Sequence, residues 1–298
     1  GDGRIRAAVS CSAPHRVTPG YFEALDGLSR RHDLRFFCHM LETRLQRVFG
    51  IERLGGRSLV RYTHDLGLLS ERMLLIHAIS TSSTRGTTWS QAGARIGHNP
   101  NSNLRLGGGI MPFRAIRDRD IPLCLGVDEA IADDAINMWS VMKTAGMLHT
   151  LSSDDFARWP RADEILTAAT AGGGRALGID GLGTLAPGAP ADLVLIDLST
   201  LAFLPLNDLP RQLVHAELGN SVRLTMVAGR VVYRDGRITT VDETALMDEA
   251  RESFARRRQS LGEAEQAVTS LRPIYEAMLA RAQRVEVGMN RKASDRFL

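Results

Sequence analysis

The chain has 298 residues, 44% of them hydrophobic and 24% charged, with a formal net charge of only +3. This is the composition of an ordinary globular protein of one large or two modest domains; it excludes a disordered or fibrous chain, and the small net charge argues against a nucleic-acid partner. No apolar run reaches the roughly 18 residues that cross a bilayer, and no charged segment leads into an apolar leader core, so neither a membrane partner nor secretion is expected.

In chain order, Arg4–Ser10 reads as a strand and Tyr21–Arg31 as an amphipathic helix opening near Thr18, Pro19 and Gly20. Leu34–Cys38 reads as a second strand, followed by helical pattern, a loop at 50–57 and a helix over Ser58–Leu69 that ends near Gly67. Met73–Ile76, Ala94–Gly97 and Pro122–Gly126 are further strands, with a helix over Phe113–Asp118. Strands alternating with helices argue an α/β fold with a parallel sheet or barrel. The stretch 80–90 (STSSTRGTTWS) is rich in Ser and Thr where that rhythm calls for a helix. Two readings stay open for it: a true polar loop, or a pair of compensating reading-frame errors that resume cleanly at Gln91.

Helices dominate from Asp134 to Leu177, broken by Gly172-Gly173-Gly174. After Ile179 the character changes. Leu193–Ile196 reads as a buried strand, followed by strands at Val222–Val227, Arg230–Tyr233 and Arg237–Val241. Asp235-Gly236 is a hairpin signal between the last two. From Thr244 to about Val287 the pattern is helical, with Leu246, Phe254, Leu261, Leu271, Tyr275 and Leu279 as apolar anchors. The expected organisation is a barrel over 1–179, a small β module over 180–243, and helices over 244–298 that pack on the barrel. Arg256-Arg257-Arg258, interleaved with Glu252, Glu263 and Glu265, reads as a solvated helix face. Cys11, Cys38 and Cys124 are odd in number and widely spaced, which reads as buried free thiols in a reducing, cytoplasmic compartment.

Reactive residues recur where predicted strands end: His15, His39 with Glu42, His77, His98 and Asp128. A (β/α) barrel collects the C-terminal ends of its strands at one mouth, where catalytic groups sit. Singly, a strand-end His is more often a satisfied core residue; several at the same end of consecutive strands argue a site.

The segments Phe37-Cys-His-Met-Leu-Glu-Thr43, Leu75-Ile-His77-Ala, His98-Asn-Pro-Asn-Ser-Asn103-Leu-Arg-Leu-Gly-Gly-Gly-Ile110 and Leu125-Gly-Val-Asp128 resemble, in order, the strand-5 to strand-8 signatures of the amidohydrolase superfamily. The subgroup resembled is that of cytosine, guanine and S-adenosylhomocysteine deaminases and s-triazine hydrolases. Ala169–Asp192 is similar to the family's return from barrel to β module. The resemblance implies a partial TIM-like (β/α)8 barrel, strands 4–8, with an appended β-sandwich module and C-terminal helices. It implies one divalent metal, zinc with iron as the other candidate, held by His39 and Asp128. Asp128 would also act as general base, Glu42 would shuttle protons, His77 would bond the group under attack, and His15 would contact substrate. His98 and Asn103 would pack and fix the loop. The expected reaction is deamination of a purine, pyrimidine or pterin, with chloride or alkylamine displacement from an s-triazine as the alternative. A small heterocycle is the expected partner, in a homo-oligomer, most simply a dimer.

The family also uses a His-x-His pair, and none occurs here. The resemblance therefore reads as the C-terminal two-thirds of a longer enzyme, and a non-catalytic remnant is the third alternative. Where the family has Gly-Thr-Asp-Gly, this chain has Gly126-Val-Asp-Glu129. A five-stranded part barrel is expected to expose an apolar concave face and to require a second wall.

Overall fold

A computed structural model of the chain describes residues 5–79 and 92–287, so the Ser/Thr-rich stretch at 80–90 lies outside the described residues. Contacts divide the chain into two compact units. One contains residues up to Ala189 together with Leu198–Ser221, and the other contains Pro190–Asp197 with Val222–Glu286. These divisions fall elsewhere than the boundaries at 179/180 and 243/244 drawn from composition.

The first unit is built on five strands: β1 (Val9–Cys11), β2 (Phe36–Met40), β3 (Met73–His77), β4 (Arg95–His98) and β5 (Leu123–Leu125). They lie in the order β1-β2-β3-β4-β5, and all four pairings are parallel. Helices fill the connections: α1 (Pro19–His32), α2 (Arg44–Arg53), α3 (Leu59–Asp65), α4 (Pro100–Arg105), α5 (Phe113–Arg117), α6 (Ala130–Asp133), α7 (Met138–Leu148), α8 (Ala162–Ala169), α9 (Ala171–Leu177) and α10 (Leu209–His215). The Thr18 hydroxyl caps α1 by accepting from the Tyr21 amide, and Ser58 caps α3 from Arg61, so both helices start where side chains relieve orphan amides.

The strands bury both faces, as a parallel sheet does. Phe36, Cys38, Met40, Met73, Leu75 and Ile96 face a large core with Phe22 of α1, Leu59 and Val60 of α3, Phe113 of α5 and Val141 of α7. On the opposite face Phe37, Leu74, Ile76 and Cys124 meet Ala176 of α9. All three cysteines are free and buried.

Two local expectations are corrected. Predicted strands sit one or two residues early: Leu34–Cys38 is Phe36–Met40, and Ala94–Gly97 is Arg95–His98. His39 and His98, placed just past the predicted strand ends, are themselves paired in the ladder, opposite Ile76 and Leu125. Gly172-Gly173-Gly174 does not break the helical region but lies inside α9. A Cβ on Gly172 would come within 2.5 Å of the Leu123 carbonyl oxygen, and one on Gly174 would meet the Leu182 carbonyl. The glycines let a helix lie directly on strand backbone.

The second unit contains β6 (Leu193–Ile196), β7 (Val222–Val227), β8 (Arg230–Arg234), β9 (Arg237–Ile238), α11 (Glu243–Ser270) and α12 (Arg272–Gln283). The β module, expected as a sandwich, is a single four-stranded antiparallel sheet among the described residues. Leu193–Ile196 is half-exposed rather than buried: Val194 and Leu195, on opposite faces of the strand, are both exposed. Asp235 and Gly236 take φ of 45° and 86°, the paired positive values of a type I′ hairpin turn. Leu246, Phe254, Leu261, Leu271, Tyr275 and Leu279, read as anchors, are exposed. Arg256 pairs with Glu252 one turn away at 3.5 Å, as a solvated face should. Among the described residues no helix is long and apolar enough to cross a membrane.

The glycine run gives a paired test. Gly172→Ala adds helix propensity but drives a methyl into the Leu123 carbonyl, and packing wins: a loss of about 1–3 kcal/mol is expected. Gly173→Ala meets nothing within 4 Å and should gain about 0.5–1 kcal/mol. Urea midpoints of the two variants moving in the same direction would refute this placement of α9.

Candidate active site

Parallel pairing carries the C-terminal ends of all five strands to one pole. In the β2/β3 register Met40 lies opposite His77, so His39, the residues after Met40 and His77 emerge side by side. In the β4/β5 register His98 lies opposite Leu125, which puts the loop bearing Asp128 beside the turn into α4.

Four of the five predicted residues converge there. The rings of His39 and His77 stack with centroids 5.4 Å apart and planes 24° from parallel. His77 Nε2 lies 3.6 Å from Asp128 Oδ2 and 3.8 Å from Glu42 Oε1. The backbone is bent to achieve this. Leu41, His77, Ala78 and Asp128 take positive φ of 55°, 76°, 49° and 66°. Residues of these types in that region cost roughly 1–3 kcal/mol each, and such strain collects at functional sites.

Hydrogen bonds behind the cluster fix each ring and carboxylate. His39 Nδ1 lies 2.7 Å from the Ser12 carbonyl oxygen, so it carries the proton and donates, leaving Nε2 with a free lone pair. His77 Nδ1 likewise faces Asn103 Oδ1 at 2.8 Å, which leaves its buried Nε2 without a hydrogen-bond partner between the two carboxylates. Burial lowers the His77 pKa, against the opposing pull of Glu42, the Asn103 hydrogen bond and Asp128. For Asp128, burial pushes upward but loses. The Ser102 hydroxyl donates to Oδ2 at 2.6 Å, the Glu129 amide donates to Oδ1 at 2.8 Å, and His77 and His39 lie nearby, so the net shift is downward. The Glu42 amide donates to Oε1 of buried Gln46 on α2, which ties the carboxylate's backbone to the next helix.

Sequence reasoning did not single out Ser102. Its partner is 26 residues away, and only the fold brings the two together. Asn103, expected to fix the loop, orients the His77 ring. His98 is fully buried, with Nε2 2.9 Å from His149 Nε2, and Phe113 stacks on His149. His15 sits in a 3₁₀ turn after β1, with its ring 5.4 Å from Phe49. Burial, then Arg16, lowers its pKa to about 4.

Among the described residues no group of three or more His, Cys, Asp or Glu side chains is arranged to hold a metal ion. The donors that are present nonetheless fit part of a divalent shell. His39 Nδ1–H donates to the Ser12 carbonyl, as the outward ring nitrogen of a metal-ligating histidine does, and Asp128 is held anionic. Two such ligands are fewer than the three or four that zinc takes.

An amidohydrolase family profile matches residues 1–232. The chain belongs to the amidohydrolase family. It is 37% identical over 249 residues to a 5-methylthioadenosine/S-adenosylhomocysteine deaminase of Nitratidesulfovibrio vulgaris, covering 84% of this chain and 56% of that one. It is 29% identical to a 5'-deoxyadenosine deaminase of Methanothermobacter thermautotrophicus, over 85% of this chain and 59% of the relative. Among solved structures, an adenosine deaminase from Xanthomonas campestris with bound zinc superposes with a TM-score of 0.81 at 29% identity, over 85% of this chain and 57% of its own. A triazine hydrolase variant gives 0.79 at 25% identity, over 84% and 55%. This amidohydrolase chain thus spans little more than half the length of the relatives it matches.

The two buried histidines behind the site predict a pH dependence. Burial lowers the pKa of His149 to about 4 and that of His98 well below the usual value. A histidine with a depressed folded pKa takes up its proton first in the unfolded chain, so stability must fall as pH drops from about 6.5 toward about 4. Urea midpoints should decrease across that window, and His149→Gln should flatten the decrease. An unchanged slope in the variant would show that the pair is not buried in its neutral form.

Proposed function

We propose that the protein is a metal-dependent aminohydrolase that deaminates a nitrogen heterocycle, the adenine ring of a nucleoside first among purines, pyrimidines and pterins. The observation that carries this reading is the His77 Nε2 atom, held without a hydrogen-bond partner between the carboxylates of Glu42 and Asp128 and stacked on His39. The 37% identity to a deaminase of a thioadenosine and S-adenosylhomocysteine supports the substrate class.

His39, through Nε2, and Asp128 would hold the metal, with zinc favoured by the likeness to the zinc-bound adenosine deaminase. When bound, a divalent cation supplies Lewis acidity that brings the pKa of a water to about 7. Asp128 would accept a proton at its carboxylate from the attacking water. Glu42 would give its proton to a ring nitrogen, take up the proton of the newly added hydroxyl and pass it to the departing amine, and the proton held by Asp128 would then restore Glu42, so that a C–O bond forms, the C–N bond breaks and ammonia leaves neutral. His77, its tautomer set by Asn103, would orient the group under attack through Nε2.

The likeness to triazine hydrolases supports a second reading, displacement of chloride or an alkylamine from an s-triazine. Chloride leaves without a proton, so the two readings part at Glu42. Under the first, Glu42→Gln keeps its metal and loses turnover by roughly 10²–10⁴-fold, measured as ammonia release across a panel of amino-heterocycles. Turnover near wild type in that variant removes Glu42 from the mechanism. His39→Ala and Asp128→Ala should lose metal and activity together. Full zinc content in either, measured by atomic emission on the complete protein, would refute the ligand assignment, and wild-type protein with far less than one metal per chain would favour a non-catalytic remnant.

A further inference from the structure

The opposite pole of the sheet carries a second constellation that the reaction does not use. Arg35 stands immediately before β2, Arg95 is the first residue of β4, Pro122 immediately precedes β5, and Arg175 lies on α9. These residues, with Asp180 and Ile179 from the loop after α9, line a cavity of about 330 Å³. That volume is at the lower end of small-molecule sites.

The charges in its wall are unbalanced. Three guanidiniums face the cavity against one carboxylate, that of Asp180. Arg35 and Arg95 both donate to the carbonyl oxygen of Glu71, and among the described residues neither they nor Arg175 makes an ion pair within 4.0 Å. Arg72, before β3, shows the contrast: it is neutralised by Asp26 at 3.8 Å. Arg35 is further confined, because its guanidinium fills the space that a side chain on Gly178 would take, and Gly178 has a φ of +69°. The crowding is felt: burial, then the nearby Arg35, lowers the pKa of Arg95 in spite of the Glu71 carboxylate.

We infer that this cavity binds the phosphate group of a small phosphate monoester. Three guanidiniums against the carboxylates of Asp180 and Glu71 leave the wall net positive, complementary to the −1.5 to −2 charge of such a phosphate. Guanidinium forks bond phosphate oxygens in pairs, and a fixed array of them is better suited to phosphate than to a single carboxylate. Pro122 and Ile179 give the cavity an apolar wall for the rest of the molecule.

The test is calorimetric titration of the complete protein at low ionic strength with ribose 5-phosphate, inorganic phosphate and ribose. Saturable binding of one ribose 5-phosphate per chain is expected, with ribose silent; equal affinity for inorganic phosphate would show that the phosphate alone is read. Arg35→Gln and Arg175→Gln should each weaken binding at least tenfold, while Arg105→Gln, whose partner is Asp134, should not. Arg175 is exposed, so its variant tests the site even if Arg35→Gln fails to fold. Absence of saturable binding, or affinities unmoved by either substitution, overturns the inference.

Discussion

The parallel register of β2 against β3 is the constraint on which the site depends. Met40 opposite His77 sets His39 and His77 on neighbouring strands at nearly the same height, close enough for their rings to stack. A slip of one residue would turn His39 to the helix-packed face, because side chains alternate along a strand. The register is in turn held by what lies behind it. Phe36, Cys38 and Met40 fill the core on one face while Phe37 packs with Leu74 and Ile76 on the other. The pole that carries the candidate site is therefore positioned by apolar packing several residues away.

Upon that frame the chain accepts local strain. Four residues with positive φ crowd the strand ends, and two of them, His77 and Asp128, are held by side-chain hydrogen bonds. Ser12, Asn103, Ser102 and the Glu129 amide each hold one face of a site residue. Two of these, Ser102 and Asn103, come from the short helix α4, so one helical turn fixes both Asp128 and His77. Loosening that turn would disturb a carboxylate and an imidazole together, which is why the strand-end signature extends past His98 into a helix that contributes no reacting group.

Much of this was legible in the sequence because strands and helices here follow their own periods. The apolar runs before His39, His77, His98 and Asp128 located the strands, and capping residues such as Thr18 and Ser58 located helix starts. What could not be read was of two kinds. Ser102 looks like any serine until the fold brings Asp128 to it. The three glycines of α9 carry a turn-like signal, but tertiary packing overrode it: at Gly172 and Gly174 the backbone of a strand and a loop occupies the space that side chains would need. Local propensity loses wherever close approach of two backbones is required. The same limit hid the pole at the other end, since Arg35, Arg95 and Arg175 are far apart in sequence and each reads as a surface charge.

The two poles follow one logic. Parallel strands gather their C-terminal ends on one side and their N-terminal ends on the other, so any polar residue just outside a strand joins one of two clusters. At the first, the two proposed ligands, His39 and Asp128, are fewer than a zinc ion takes. At the second, three arginines outnumber the one carboxylate that lines their cavity. In both places charge-bearing groups are gathered without a full set of opposite charges, with Arg35 and Arg95 half-buried at the second and Arg175 exposed. Burying such groups unpaired costs free energy, and a site that bears this cost in its resting form is arranged for a partner that arrives.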